Sequence, residues 1–240
     1  MRIAGKTDKG YKRPDNQDRY IAGVLANGIA FGFVADGMGG ANGGSVASSS
    51  LCRMMEECLF VQNDNAAMDR EKTVLDAIDS ACAEIYHMSK ADSALHGMGT
   101  TISGVTVKDD LCTIYNVGDS RVYILRDGVL SLVTEDHSVV QQLYRQGAIT
   151  EAEMAVHPQK NLITRAVGVR TDVETDVSEL SLQPKDRILC ASDGLTNFVL
   201  SPQLTEILSG EDFYKIPEKL IEAALEHNAT DNITAVVMEY

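Results

Sequence analysis

The hydrophobic and polar positions of the chain follow two different periods, and together they predict a protein of helices and strands. Apolar residues recur every three to four positions in Ser45–Val61 and, after a polar loop that includes Asn63 and Asp64, in about Asp69–Lys90. The same spacing returns in Ile216–His227. Each of these segments is therefore predicted to form an amphipathic helix.

Short apolar runs bounded by turn residues predict strands. The most apolar of them, Gly28–Ala35, is joined through Asn27 to a strand candidate at Tyr20–Leu25. An Asn-Gly turn between two apolar runs strongly favours an antiparallel hairpin. Further strands are predicted at Leu180–Leu182, Asp186–Ser192 and Ile233–Tyr240.

The middle of the chain carries four successive strand candidates with very short links. They are Thr100–Val107, Leu111–Val117, Arg121–Leu125 and Val129–Val133. Parallel strands need connections of a dozen or more residues, so these strands are predicted to be antiparallel and to form a meander. This pattern excludes a purely parallel, doubly wound fold.

The remaining segments are less regular. Residues 1–20 are predicted to form turns and loops. Within Glu135–Gly168 we expect a short helix at His137–Gln146 and a second one opened by the capping box Thr150–Glu153. Because this region lacks a strong core pattern, we interpret it as a mobile excursion near the site. Ser201-Pro202 predicts a helix with Ser as its cap and Pro at its first position.

Composition and charge restrict the function classes. A chain of 240 residues, 44% hydrophobic and without repeat or linker, is expected to form one domain with a substantial core. The net charge of −14 argues against a nucleic-acid or anionic membrane surface. It would also repel a phosphorylated substrate unless bound cations neutralise some of the acids.

The cysteines and the N-terminus bear on the cellular compartment. The five cysteines are scattered and form no C-x-x-C pair, so free thiols are expected rather than disulfides or a zinc site. No signal region is seen, and no stretch approaches the roughly 18–20 apolar residues that span a bilayer. We therefore expect a cytoplasmic protein without membrane contact.

Three aspartates share a similar placement along the chain. Asp36 and Asp193 each end an apolar run and precede a glycine, and Asp231 comes just before the last strand. Carboxylates gathered at strand ends repel one another unless a cation lies between them. Because their ligands would be oxygen atoms alone, the expected occupant is Mg²⁺ or Mn²⁺.

Three rival motifs fail on their own chemistry. The glycines after Asp36 do not form G-x-G-x-x-G, and the carboxylate would face the pyrophosphate of a dinucleotide. Gly118-Asp119-Ser120 is similar to a serine esterase motif, but no downstream Asp-x-x-His accompanies it. No cysteine has an arginine six residues later, which excludes the C-x₅-R phosphatases.

Across nearly its whole length the sequence resembles the metal-dependent Ser/Thr protein phosphatases of the 2C class (PPM family), in their short bacterial form. Each motif is weak alone, but the ordered set is highly specific. The motifs are Arg13–Asp18, Asp36–Gly40, Gly99–Thr101, Val117–Arg121, Asp136–Ser138, Ser192–Leu195 and Asp231–Thr234.

The resemblance implies an α+β fold and a binuclear metal centre. The expected architecture is a four-layer α-β-β-α sandwich, with two central antiparallel sheets flanked by helices and a flap at about residues 137–165. Asp36 resembles the carboxylate that bridges the ions, with the Gly37 carbonyl on one of them. Asp193 and Asp231 match the ligands of the other ion.

Three further residues match functional positions of the family. Asp18 matches a residue that holds metal-bound water, and Asp119 matches the acid that binds a third, weaker ion in bacterial members. Arg13 matches the guanidinium that grips substrate phosphate, which suits its bidentate fork. Arg13, Asp18 and Asp36 are therefore the expected catalytic residues. His137 is predicted to cap a helix.

The function implied is that of a phosphoric monoester hydrolase acting in signalling. It would hydrolyse phosphoserine and phosphothreonine in proteins and use two or three Mn²⁺ or Mg²⁺ ions. A hydroxide that bridges two of these ions would attack the phosphate. The expected partners of this monomer are phosphorylated proteins, namely a Ser/Thr kinase and its substrates. One alternative is a catalytically weak family member that acts as a regulatory binding module. Such a module is expected to have lost metal-ligating residues, whereas the main ones are present here. Another is a phosphatase of an anti-sigma-factor antagonist, which usually carries sensory regions.

Three residues depart from the family pattern. Met38 stands where many eukaryotic members have a histidine proposed as general acid, so leaving-group protonation must come from water or another group. Ala41 replaces a histidine often found in bacterial members. Gln17 replaces a common glutamate, so one water-mediated metal contact loses its charge.

Overall fold

A computed structural model describes residues 1–61, 65, 67 and 69–240. Its centre is a pair of antiparallel sheets with helices packed on both outer faces, which confirms the predicted α-β-β-α sandwich. The predicted loop at Asn63 and Asp64 lies outside the described residues. No helix in the described part of the chain has both the length and the apolar character to cross a bilayer.

The two sheets differ in which parts of the chain they use. One sheet has the order β1-β11-β10-β7-β8, and the other has the order β2-β3-β5-β6-β9 with β4 beside β3. The strands are β1 Arg2–Asp8, β2 Asp18–Val24, β3 Ala30–Met38, β4 Gly99–Thr100, β5 Ile102–Lys108, β6 Leu111–Val117, β7 Arg121–Arg126, β8 Val129–Leu132, β9 Asp176–Ser181, β10 Arg187–Ala191 and β11 Ile233–Glu239.

The helices lie in three stretches of the chain between the strands. They are α1 Gly40–Val61, α2 Arg70–Ala91, α3 Val139–Arg145, α4 Glu151–Val156, α5 Asp193–Thr196, α6 Ser201–Leu208 and α7 Ile216–Glu226. The predicted capping box at Thr150 and Glu153 is present at α4. At α6, in contrast, Leu200 is the N-cap and Ser201 already lies inside the helix, so the predicted Ser cap is wrong.

Three apolar clusters hold the four layers together. The inner cluster lies between the sheets and contains Val34, Val105, Val236 and Met238 among its buried residues. A second cluster joins α1 and α2 to the sheet that contains β3, and a third joins α5–α7 to the sheet that contains β11. The free state of all five cysteines is confirmed.

The N-terminal segment forms a strand where turns and loops were predicted. β1 pairs with β11 over seven residues, from Arg2 opposite Glu239 to Asp8 opposite Ile233. An edge strand of this kind is only partly buried, so its sequence shows no apolar run. Its position depends on the partner strand rather than on its own pattern.

The predicted meander is antiparallel as expected, but it does not stay in one sheet. β5 and β6 form a hairpin in one sheet, and β7 and β8 form a hairpin in the other. The link at Gly118 crosses between the sheets with φ of +108°, and a Cβ there would lie 2.5 Å from Thr101 Cγ2. This crossing places Asp119 at the end of the sandwich.

The region after Asp36 also differs from the prediction. β3 continues to Met38, where it pairs with β4, and α1 begins at Gly40 instead of Ser45. Gly44 therefore lies within the helix and approaches β3 closely, since a Cβ on Gly37 would lie 2.1 Å from the Gly44 carbonyl oxygen. Helix and strand can meet at this distance only because neither residue has a side chain.

Candidate metal centre and active site

One end of the sandwich carries a cleft of about 280 Å³. The crossing link after β6, the end of β3 and the starts of α5 and β11 all meet there. The predicted site residues that line the cleft are Arg13, Asp36, Gly37, Asp119, Asp193 and Asp231. Asp18 is buried and lies opposite Asp36 in the β2–β3 pairing. The fold therefore brings all seven predicted residues to one place.

Asp36 is held by its own backbone. Its N–H donates to Thr101 Oγ1 at 3.0 Å, and its carbonyl oxygen accepts from Thr100 Oγ1 at 2.9 Å. Burial, followed by the charge of Asp18 and of the other cleft acids, raises the pKa of the Asp36 carboxyl well above its ordinary value.

Asp18 connects the two sheets beneath the cleft. Its Oδ2 accepts hydrogen bonds from Ser192 Oγ and Thr234 Oγ1, both at 2.7 Å, while its buried Oδ1 has no partner among the described residues. Burial is the main cause that raises the pKa of Asp18 to about 7, although the two hydroxyls favour the ionised form. Nothing in the residue pattern marks Ser192 and Thr234 as supports of this carboxylate.

The other cleft acids share this electrostatic cost. Burial, with the charges of Asp193 and Asp136, raises the pKa of Asp119 to about 8. Burial and the charge of Asp231 raise the pKa of Asp193 to about 6, and its Oδ1 is a second buried oxygen without a partner in the described part of the chain. In each case burial is the largest cause of the raised pKa, and the charges of neighbouring carboxylates add to it.

Arg13 provides positive charge at the rim of the cleft. Its Nη2 donates to Asp231 Oδ2 at 2.7 Å, and the arginine side chain remains half exposed. A guanidinium has five N–H donors, so this bond leaves others for a second anion. Arg13 therefore pairs with the predicted ligand Asp231 while its other donors remain at the rim of the cleft.

The loop that carries Arg13 is fixed by Asn232, a residue to which the sequence analysis gave no role. Its Nδ2 donates to the carbonyl oxygens of Lys9 and Asp15 at 2.8 and 2.9 Å, and its Oδ1 accepts from the Gln17 N–H at 2.8 Å. Asn232 is 4% exposed, so these bonds are shielded from water. It thus positions the Arg13 loop against β11.

His137 has a different place from the one predicted. Ser138 Oγ, not His137, caps α3 by accepting from the Gln141 N–H. His137 Nδ1 accepts from the Gly118 N–H at 3.1 Å, and its Nε2 lies 3.0 Å from Asp176 Oδ2. In the neutral ring the proton is therefore on Nε2. This buried ring anchors the link that presents Asp119.

We expect His137→Ala to lower the free energy of unfolding by about 1–3 kcal/mol, because a buried N–H at Gly118 loses its acceptor. Denaturant titration of both proteins measures the change. His137→Asn is the matched variant, since its Oδ1 can replace Nδ1 as the acceptor, and it should recover part of the loss. Equal stabilities of the alanine variant and the parent would contradict this role.

The three departures from the family pattern occupy different positions. Met38 lines the cleft, and Gln17 Nε2 donates to the Gly40 carbonyl oxygen at 3.2 Å. The predicted contact at Ala41 involves a side chain outside the described part of the structure. Among the described residues that line the cleft there is no histidine.

The chemistry of the donor set fits divalent cations. The cleft offers carboxylate and carbonyl oxygens, and two buried carboxylate oxygens have no hydrogen-bond partner among the described residues. Burial, together with nearby acids, raises the pKa of Asp36. Within the described residues, no three His, Cys, Asp or Glu side chains form a closed ligand set by themselves. An ion there would also need carbonyl and water ligands, and Mg²⁺ commonly retains several waters.

Comparisons with known proteins show the family to which the chain belongs. The family pattern described as protein phosphatase 2C matches residues 11–235. A serine/threonine phosphatase, stp, of Listeria monocytogenes is 36% identical and aligns over 100% of this chain and 96% of its own length.

Solved structures agree as well. The serine/threonine phosphatase of S. agalactiae has a TM-score of 0.91, is 33% identical and covers 98% of both chains. The catalytic domain of the phosphatase PstP, solved in complex with two manganese ions, has a TM-score of 0.87 and 32% identity, over 98% of this chain and 96% of that one. From the extent of these matches, the chain belongs to the protein phosphatase 2C family.

Proposed function

We propose that the chain is a metal-dependent phosphoprotein phosphatase that removes phosphate from phosphoserine and phosphothreonine. The observation that carries the proposal is that Asp36, Asp119, Asp193 and Asp231 surround one open cleft, with a guanidinium at its rim. Membership of the protein phosphatase 2C family supports it. The alternative of a non-catalytic binding module predicts lost ligands, whereas every predicted acid lies at the cleft.

In this proposal each residue of the cleft has a distinct role. Asp36, Asp193, Asp231 and the Gly37 carbonyl would hold two divalent cations, and Asp119 a third, weaker one. When bound, these cations polarise the phosphoryl oxygens and supply a water of lowered pKa. Arg13 binds the phosphate through its free N–H donors and orients it.

Asp18 acts from beneath the cleft. Its unpartnered Oδ1 can accept a hydrogen bond from a water, while Ser192 and Thr234 hold its other oxygen in place. Met38 cannot donate a proton to the leaving Ser or Thr oxygen. That proton therefore comes from water or another group.

The proposal also covers the biological setting. The ions are Mn²⁺ or Mg²⁺, two or three in number, and the substrates are phosphorylated proteins of a Ser/Thr kinase pathway. The chain acts as a cytoplasmic monomer, with residues 1–240 as one catalytic domain and about 137–165 as its flap. The structure of PstP with two manganese ions supports the choice of metal.

We expect phosphate release from a phosphothreonine peptide to require Mn²⁺ or Mg²⁺ and to fall to the uncatalysed level in excess chelator. The reason is that the buried acids cannot accept a phosphate without added positive charge. A malachite-green assay across metal concentrations measures this. Chelator followed by excess Mn²⁺ is the control and should restore turnover. Turnover that persists in chelator, or none with either metal, would refute the proposal.

A further inference from the structure

A second groove of about 360 Å³ lies beside the cleft and shares Met38 and Ile163 with it. We call it the flanking groove. Its lining also includes the apolar residues Val169 and Val173, the cations Arg165 and Arg170, and the acids Asp172 and Glu174. A phosphoresidue bound in the cleft belongs to a polypeptide, which must continue out of the cleft. The flanking groove borders the cleft, because Met38 and Ile163 belong to the walls of both.

The backbone of the flanking groove is fixed in place. Val167 exchanges two hydrogen bonds with Thr100, at 3.0 and 2.9 Å, which attaches this segment to β4. The Cys82 thiol of α2 donates to the Arg170 carbonyl oxygen at 3.2 Å and accepts from the Gly168 N–H at 3.3 Å. These four hydrogen bonds hold the groove to β4 and α2 at Val167, Gly168 and Arg170.

A glycine makes this attachment possible. Gly168 has φ of +89°, and a Cβ there would lie 2.1 Å from Ile85 Cγ2. The chain thus turns tightly against α2 and presents Val169 and Arg170 outward, where both are exposed. A preformed surface of this kind lowers the entropy cost of binding a peptide.

Charge distinguishes the two arginines of the flanking groove. Arg165 is engaged, since its Nη1 donates to Asp176 Oδ1 at 2.5 Å and to the Glu174 carbonyl oxygen at 3.0 Å. Arg170 has neither an ion pair nor a side-chain hydrogen bond within the described residues. Of the two acids in the groove, Glu174 lies 3.5 Å from Arg165 through Oε2, and Asp172 Oδ1 accepts from Thr171 Oγ1 at 3.3 Å. Neither is paired with Arg170 among the described residues, so this guanidinium can contact a ligand.

We propose that the flanking groove binds the substrate polypeptide next to the phosphoresidue, and that Arg170 selects an acidic side chain there. The inference rests on the proposed phosphatase function and names the substrate that the function would prefer. Met38, Val169 and Val173 provide the apolar surface along which the peptide lies, and the Arg170 guanidinium provides the charge.

The test uses phosphothreonine peptides with a single glutamate placed in turn two to four residues to either side, each paired with a glutamine peptide. At one position we expect kcat/KM to favour glutamate by about 3- to 5-fold, the range of an exposed ion pair. Arg170→Ala should reduce this ratio to about one, and Arg170→Lys should retain part of it. Lys219→Ala, which removes an exposed charge on α7, should leave the ratio unchanged.

Because the ratio compares two peptides on one protein, a general loss of activity does not move it. The same comparison of dissociation constants on an Asp193→Asn background, by fluorescence anisotropy, tests the flanking groove without turnover. Hydrolysis of p-nitrophenyl phosphate by the parent protein tests the phosphatase function separately. The absence of a glutamate preference at every position, or an equal preference in Arg170→Ala, would overturn the proposal.

Discussion

Asp193→Asn should lower the rate of phosphate release by on the order of 10³-fold, since one charged group of a preorganised electrostatic site is lost. Asp193 combines a buried, unpartnered Oδ1 with a pKa raised to about 6, both of which indicate a carboxylate placed for a cation. The isosteric amide keeps the shape and removes the charge. Hydrolysis of p-nitrophenyl phosphate at saturating Mn²⁺ measures the effect.

The fold should survive this substitution. Near-ultraviolet circular dichroism of the variant is expected to match that of the parent, because Asn197 Nδ2 can still donate to the remaining oxygen of residue 193. Asp79→Asn, at an exposed position of α2, is the matched control and should keep full activity. Retained phosphatase activity in a folded Asp193→Asn protein would mean that the site is assigned incorrectly.

Asp18→Asn should make the metal-free protein more stable, by about 2 to 4 kcal/mol at pH 8. The pKa of the Asp18 carboxyl rises from its ordinary value of 3.8 to about 7 in the folded protein, mainly because the group is buried. Between these values the folded state holds a proton that the unfolded chain releases, so this group's contribution to stability falls as pH rises from about 4 to about 7. Asparagine removes that dependence.

The pH profile makes the second prediction specific. In EDTA, the stability difference between Asp18→Asn and the parent should be small near pH 4, grow through pH 7 and then level off. Urea titration at each pH measures it. Added Mn²⁺ should narrow the difference at pH 8, because a cation offsets the buried charge in the parent. A difference that does not depend on pH would show that packing, not charge, sets the stability at this position.

The sequence predicted local features of the fold well where a residue pattern has one structural solution. The Asn27-Gly28 hairpin, the α4 capping box and the α2 segment capped by Asp69 are all found. The strand β1 was missed because a half-buried edge strand has no apolar period. The crossing after β6 was missed because a three-residue link fits both a hairpin and a change of sheet.

The candidate site, like the fold, could be predicted from the sequence only in part. The acids could be found because each stands next to an apolar run or a strand, and the ordered motifs added the rest. Ser192, Thr234 and Asn232 carry no separate signal, since a polar residue near a strand end has many uses. Their roles follow only from contacts to residues far away along the chain. His137 illustrates the ambiguity, because a residue before a helix resembles a cap until its ring contacts are known.

The bonds around Asp18 also determine when the site can form during folding. Its Oδ2 joins residues that lie 174 and 216 positions further along the chain. Closing such long loops costs entropy that is recovered only when both sheets are in place, so these contacts belong to the late steps of folding. Phosphatase activity would then report on completion of the whole sandwich, and a chain that has folded only its first sheet would lack a working cleft.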